Sequence, residues 1–328
     1  MSFDVLIAFI QQAVRLSSTL LLGSTGEIIT EKSGNLNLGT PGIMASGAIS
    51  GIIGAFFYTK SDLPFNPFVS VLITLLCCII GSLLTTLIYC FLTITLKTNQ
   101  NVTGLALTTF GIGISNFIGS LINSQMGGTG IAAFPEIGKA YRATLPFADK
   151  LGAFGDIFFS YGFMTYFAII ISVSAGLIIA KTRIGLNLRS VGENPATAEA
   201  AGINVTRYKY FATSIGGIVS GLGGLCYVMD FATANWQNNI LDQFGWLSVA
   251  LVIFAVWKPN MAIFGSIIFG ALYVVGSFLP NITTKDQKLL EILPYLVTII
   301  VLVIISMRNK KENQPPESLG LSYFREER

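Results

Sequence analysis

"FVSVLITLLCCIIGSLLTTLIYCFLTITL" runs from Phe68 to Leu96 without one charged side chain. A helix needs about 20 apolar residues to cross the hydrocarbon core of a bilayer, and this stretch exceeds that. The rest of the chain agrees. Of its 328 residues 52% are hydrophobic and 11% charged, with a mean hydropathy of +0.68. Soluble domains carry about 25% charged residues, so this chain lacks the charge to cover a water-facing surface.

Further apolar runs lie near 5–23, 38–58, 101–122, 157–180, 210–230, 243–257, 261–280 and 292–307. With 68–96 they predict an all-α, polytopic membrane helix bundle of about nine spans. The first run is the least secure, because it holds Gln11, Gln12 and Arg15. Arg15 must face protein or a polar cavity, or that segment lies at the interface. The 243–257 run is short and ends at Lys258-Pro259-Asn260, a turn signal. It fits a half-span or a broken helix beside a cavity.

Positive charge sets the sides. One set of loops holds Lys32, Lys97, Lys181, Arg183, Arg189, Arg207, Lys209, Lys258, Arg308, Lys310 and Lys311. The other holds Lys60, Lys139, Arg142, Lys150, Lys285 and Lys288. The richer set predicts the cytoplasmic side, and with it an external N-terminus, a cytoplasmic C-terminus and an external loop over 123–156. Residues 1–307 read as the membrane domain and 308–328, charged and with Pro315-Pro316, as a flexible cytoplasmic tail.

The composition also excludes chemistries. There is no histidine, so the commonest general base and metal ligand is missing. Cys77, Cys78, Cys90 and Cys226 sit inside apolar runs, with no CxxC. The net charge of +3, without a long basic block, gives no sign of nucleic-acid binding. No GxxxxGK[ST] phosphate loop is present, so no nucleotide or other cofactor is expected on this chain. Small residues at four-residue spacing (Gly47 and Gly51, Gly217 and Gly221, Gly111, Ser115 and Gly119) let helix backbones approach closely.

One strip differs from all of this: "TRIGLNLRSVGENPATAEAAGINVTRYKY", Thr182 to Tyr210. Within it Asn194 is an N-cap and Pro195 a first helical residue. Ala196 to Ala201 favour helix, and Gly202 is a C-terminal stop. A helix of about seven residues does not persist in water by itself. It needs a partner surface; the bland alternative is a solvated loop.

The pattern Thr182, Gly185, Arg189, Gly192-Glu193-Asn194-Pro195, Ala198, Ala201-Gly202-Ile203 resembles the cytoplasmic coupling segment of ABC-importer permeases. The match is to the branched-chain amino acid, ribose and nucleoside group, of the type II importer architecture. A second stretch, "GEIITEKSGNLNLGTPGIMASGAISG" (Gly26–Gly51), is similar to the ExSGxxNxGxxGxMxxGA pattern of the nucleoside-type permeases. It lies one span from the N-terminus, as in the shorter of two paired permeases. The Gly245–Leu272 stretch resembles the late hairpin of that type, but Ala255-Val256-Trp257-Lys258-Pro259 departs from its usual Gly-x-x-x-Pro turn.

The resemblance implies a permease subunit of an ATP-driven nucleoside importer, forming half of the translocation path. It implies ABC ATPase subunits that hydrolyse ATP, a second homologous permease and an extracytoplasmic substrate-binding lipoprotein as partners. Segment 182–209 would couple to the ATPase through Gly192, Glu193, Asn194, Pro195, Ala198, Glu199, Ala201 and Gly202. A neutral nucleoside wants hydroxyl and amide groups along its path. Asn35, Asn37, Thr108, Thr109, Ser115 and Asn116 are the path candidates, each equally open to a packing hydrogen bond or a cap. Glu27, Glu31 and Lys32 fit a gate or a solvated turn. Alternatives are the same machine for a branched-chain amino acid or a pentose and, more remotely, a secondary transporter, which usually needs acids or His within its spans.

Overall fold

The computed structural model describes residues 3–126, 132–146, 148–280, 283–308 and 314–324. Among the described residues eight helices are long and apolar enough to cross a membrane. They are built on α1 (Phe3–Glu31), α2 (Thr40–Lys60), α3 (Pro67–Cys90), α4 (Gln100–Gln125), α7 (Phe163–Lys181), α10 (Val205–Cys226), α12 (Pro259–Phe278) and the stretch through α14 (Leu293–Arg308). The ninth apolar run is α11 (Ile240–Phe254), whose 15 residues span only about 22 Å at 1.5 Å per residue.

Asparagine starts these helices repeatedly. Asn66 Oδ1 accepts from the Phe68 amide at 3.0 Å with Pro67 as first residue of α3, and Asn99 and Asn204 cap α4 and α10 in the same way. Many hydroxyls inside the spans are satisfied by their own helix. Ser82 and Thr86 donate to the carbonyls of Cys78 and Ser82 at 2.8 and 2.7 Å, as an apolar solvent requires.

The core lies between α1, α2 and α10, each packed on the others and ringed by α3, α4, α7, α11 and α12. A Cβ on Gly47 would meet the Cα of Gly221 at 2.8 Å, so the small-residue stripes pack α2 on α10 backbone to backbone. The outer face of α3 carries Leu72, Leu76, Ile80, Leu84 and Ile88, all exposed and four residues apart, which is a lipid-facing stripe.

Between α4 and α7 lie the short helices α5 (Pro135–Tyr141) and α6 (Gly152–Phe158). A two-residue strand, Ala132–Ala133, pairs antiparallel with Asn235–Trp236. Arg15, the doubtful residue of the first span, is half-buried and stands within electrostatic reach of Asp230, at the end of the π-helical extension of α10.

Of the tail, Gln314–Phe324 is described; residues 309–313 and 325–328 lie outside the described residues. The Ser318 amide donates to the Gly192 carbonyl at 3.0 Å, and Gln100 Nε2 to the Leu321 carbonyl at 3.3 Å. Charge and proline content had argued against burial; the segment is held by backbone hydrogen bonds and by Tyr323, not by a hydrophobic run.

Candidate functional site

The strip Thr182–Tyr210 folds as two helices and the start of a third. Thr182 Oγ1 accepts from the Gly185 amide at 3.1 Å and opens α8 (Arg183–Glu193). Sequence reading missed this helix, although Thr182 is a standard cap. Asn194 then closes α8 and opens α9 (Pro195–Ala200), accepting from the Thr197 amide at 3.0 Å. Ala201 ends α9. Gly202, at φ +82°, donates to the Glu199 carbonyl while Ile203 donates to that of Ala198, a left-handed stop that favours glycine.

The six-residue α9 is held from beneath. Ala198 is buried with Val191, Val205, Ile203 and Tyr323. The Tyr323 hydroxyl donates to the Glu199 carboxylate, and Ser318 holds the Gly192 carbonyl. Glu193, Asn194, Thr197, Ala200, Ala201 and Gly202 remain exposed. The upper face of α9 is thus small, polar and open.

Gly192 is the close approach. A Cβ there would run into the carbonyl of Lys32 and the amide of Gly34. The segment carrying α9 therefore lies backbone to backbone on the connection between α1 and α2. That connection is no solvated turn: Ser33, Asn35 and Asn37 are at most 2% exposed. It is held by every neighbour. The Leu36 amide donates to Gln100 Oε1 at 2.7 Å, Tyr89 donates to the Leu36 carbonyl, and Thr108 Oγ1 donates to the Leu38 carbonyl at 2.7 Å. Glu27 accepts from the Asn37 amide at 3.2 Å, from the Asn37 side chain at 3.4 Å, and from the Thr40 hydroxyl. Glu31 accepts from the indole of Trp257, at the turn between α11 and α12. Burial pulls Lys32 below the ordinary lysine value, with Glu193 opposing that shift.

The six path candidates separate. Asn37, Thr108 and Ser115 are buried and bonded within the chain, Ser115 to the Gly111 carbonyl at 2.6 Å. Asn35 is buried too; its Nδ2 donates to Thr213 at 3.3 Å, and its Oδ1 has no partner. Thr109 is exposed and Asn116 half-buried, seven residues apart on α4, with Gly113 between them facing open space. Asn116 exchanges hydrogen bonds of 2.6 and 2.9 Å with Asn239, and Asn238 reaches Ser120 at 3.2 Å. A polar stripe on the open side of a spanning helix suits a protein or water-filled surface, not lipid. Trp236 is 4% exposed and covers Gly119, so it is a packing residue of the 235–239 loop.

Glu27, which the sequence left open as a gate or a solvated turn, is buried, and the bond from Trp257 to Glu31 escaped sequence reading. The signal for Glu27 was its period: it lies one helical turn before Glu31, on the same face of α1.

Comparison with known proteins places the chain in a family. The family model described as "Branched-chain amino acid transport system / permease component" matches residues 9–305. The Nucleoside ABC transporter permease protein NupC of Lactococcus lactis subsp. cremoris is 32% identical over 294 residues, 88% of this chain and 89% of that one. The Guanosine ABC transporter permease protein NupQ of Bacillus subtilis is 29% identical, covering 95% of each. A Haloferax volcanii ABC transporter permease protein named for glucose is 30% identical over 95% of this chain and 96% of its own. A match over nearly all its spans makes this a transport component rather than an enzyme, and the chain belongs to the branched-chain amino acid transport system / permease component family of ABC transporters.

Proposed function

We propose that this chain is one of two different permeases in an ATP-driven importer of nucleosides. The substrate class rests on the names of the NupC and NupQ relatives and on the uncharged hydroxyl and amide groups of the open α4 face. Thr109 and Asn116 line the path on this reading, with the second permease facing them. Thr108, Ser115 and Asn37 hold the scaffold behind.

The observation that carries the coupling role is the contact of Gly192 with the Lys32 carbonyl. The exposed face of α9 docks on an ATPase subunit that binds and hydrolyses ATP. Movement of α9 reaches the α1–α2 connection directly, and from there α3, α4 and the α11–α12 turn. Outward and inward packings of the permease pair must differ by only a few kcal/mol for docking to bias them. α9 and the C-terminus lie on the cytoplasmic side, where the positive charges concentrate. An external lipoprotein delivers the solute.

Reconstitution with the ATPase, the second permease and the lipoprotein tests this. Deleting Pro195–Ala201 should abolish ATP-dependent uptake, and normal uptake by the deletion refutes the coupling role. Binding of guanosine, ribose, glucose and leucine to the lipoprotein tests the substrate. The glucose name of the Haloferax relative makes a sugar the second reading. Thr197→Cys should react with an impermeant maleimide only in inside-out vesicles; labelling of right-side-out cells reverses the orientation.

A further inference from the structure

Beside α9 lies a cleft of about 740 Å³ between its own C-terminal end, the start of α10, the end of α3 and the 322–323 strap. Its chemistry differs from the rest of the molecule. Lys97, Arg207 and Lys209 line it, with Asn35 and Tyr210 among the polar groups between them. Among the described residues one acid, Glu199, borders it, and Tyr323 donates to that carboxylate.

Lys209 is the unusual residue. It is 4% exposed, yet among the described residues no carboxylate pairs with it and no acceptor takes its protons. A buried cation without a counter-charge is costly, and an anion bound beside it would relieve that cost. Lys97 and Arg207 lie against the rings of Phe324 and Phe211, at 4.5 and 5.8 Å, and among the described residues neither forms an ion pair with an acid. The cleft also receives the N-terminal turn of the 22-residue α10, the positive end of its dipole. Asn35 Oδ1, buried and unpartnered, is an acceptor that would take a hydroxyl or N–H of the ligand's organic part, not its phosphate.

Three cations and a helix N-terminus are poor chemistry for a neutral solute and good chemistry for phosphate. The volume falls within the range of small-molecule sites, about 300–1,000 Å³, and exceeds what one protein carboxylate would fill. We propose that this cleft binds the phosphate group of a small phosphorylated organic molecule, with Lys209 as its buried cationic anchor. Such a ligand would bridge α9, α10 and the C-terminal strap, and so set how freely α9 moves. The binding claim stands whether or not the importer carries nucleosides.

The test uses the full importer complex in phosphatidylcholine nanodiscs, with uridine 5′-monophosphate, inorganic phosphate and uridine as probes in calorimetry. Uridine monophosphate should bind with an affinity that falls as salt rises. Lys209→Met should weaken it at least about tenfold, while Lys209→Arg retains it. Nanodiscs containing phosphatidylglycerol separate the lipid source: lipid retention that depends on Lys209 assigns the same phosphate site to a headgroup. If Lys209→Met does not assemble, Lys97→Gln with Arg207→Gln strips the rim charge instead, and unchanged binding by that pair overturns the proposal. Equal binding of uridine and its monophosphate also overturns it, making the cleft part of a neutral path. So does failure of the intact complex to bind phosphate in any of these forms.

Discussion

The indole nitrogen of Trp257 donates to the carboxylate of Glu31, 226 residues earlier in the chain. Both are buried, at 9% and 4% exposure. The contact ties the end of α1 to the turn between α11 and α12. Hydrogen bonds to charged groups contribute about 1.5–3 kcal/mol. Trp257→Phe keeps the ring volume near the site and removes the donor. Its melting temperature in detergent, followed by fluorescence-detected size exclusion, should fall by an amount matching about 1–3 kcal/mol. An unchanged transition would show that the contact adds nothing.

The same turn is strained. Val256 and Trp257 sit at φ 56° and 52°, in the left-handed region, which costs a branched residue about 1–2 kcal/mol. The chain makes this sharp reversal without glycine. Val256→Gly should therefore raise the melting temperature, by roughly the equivalent of 1 kcal/mol after the glycine's own entropy cost. A lower melting temperature would show that packing of the valine outweighs the strain.

Gly192→Ala places a methyl against the Lys32 carbonyl and the Gly34 amide. These are backbone atoms and cannot swing aside. The variant should assemble with its partners but lose most ATP-dependent uptake, because α9 is displaced from the α1–α2 connection. Wild-type uptake rates in proteoliposomes would remove Gly192 from the coupling route.

Neighbouring threonines on α4 should behave oppositely. Thr108→Val breaks a 2.7 Å bond to the Leu38 carbonyl and should cost about 1–2 kcal/mol of stability. Thr109→Val touches only an exposed hydroxyl that donates to its own helix at 3.1 Å. It should leave melting unchanged and raise the uptake KM several-fold if it lines the path. Equal effects from both would dissolve the distinction between scaffold and path.

Tyr323→Phe removes the hydroxyl that holds Glu199. Hydrogen exchange of amides 196–203 should speed up by about five- to tenfold, the equivalent of roughly 1 kcal/mol. Exchange at the wild-type rate would mean that α9 is held by Ala198 packing alone.

What the sequence by itself determined was set by composition and local rules. Charge-free runs such as Phe68–Leu96 can only be helices in lipid, and Asn194-Pro195 with Gly202 bounds a short helix wherever it occurs. Hence the spans and α9 were legible. The α1–α2 connection was not, because Ser33, Asn35 and Asn37 look like a turn until Tyr89, Gln100 and Thr108 arrive from distant positions to satisfy it. Polar residues carry no local signal of burial; only partners brought by the fold decide whether water is replaced. The same holds for 314–324, whose adjacent prolines and polar residues resemble a loose end, and for Lys209, whose cleft exists only where four separate segments meet.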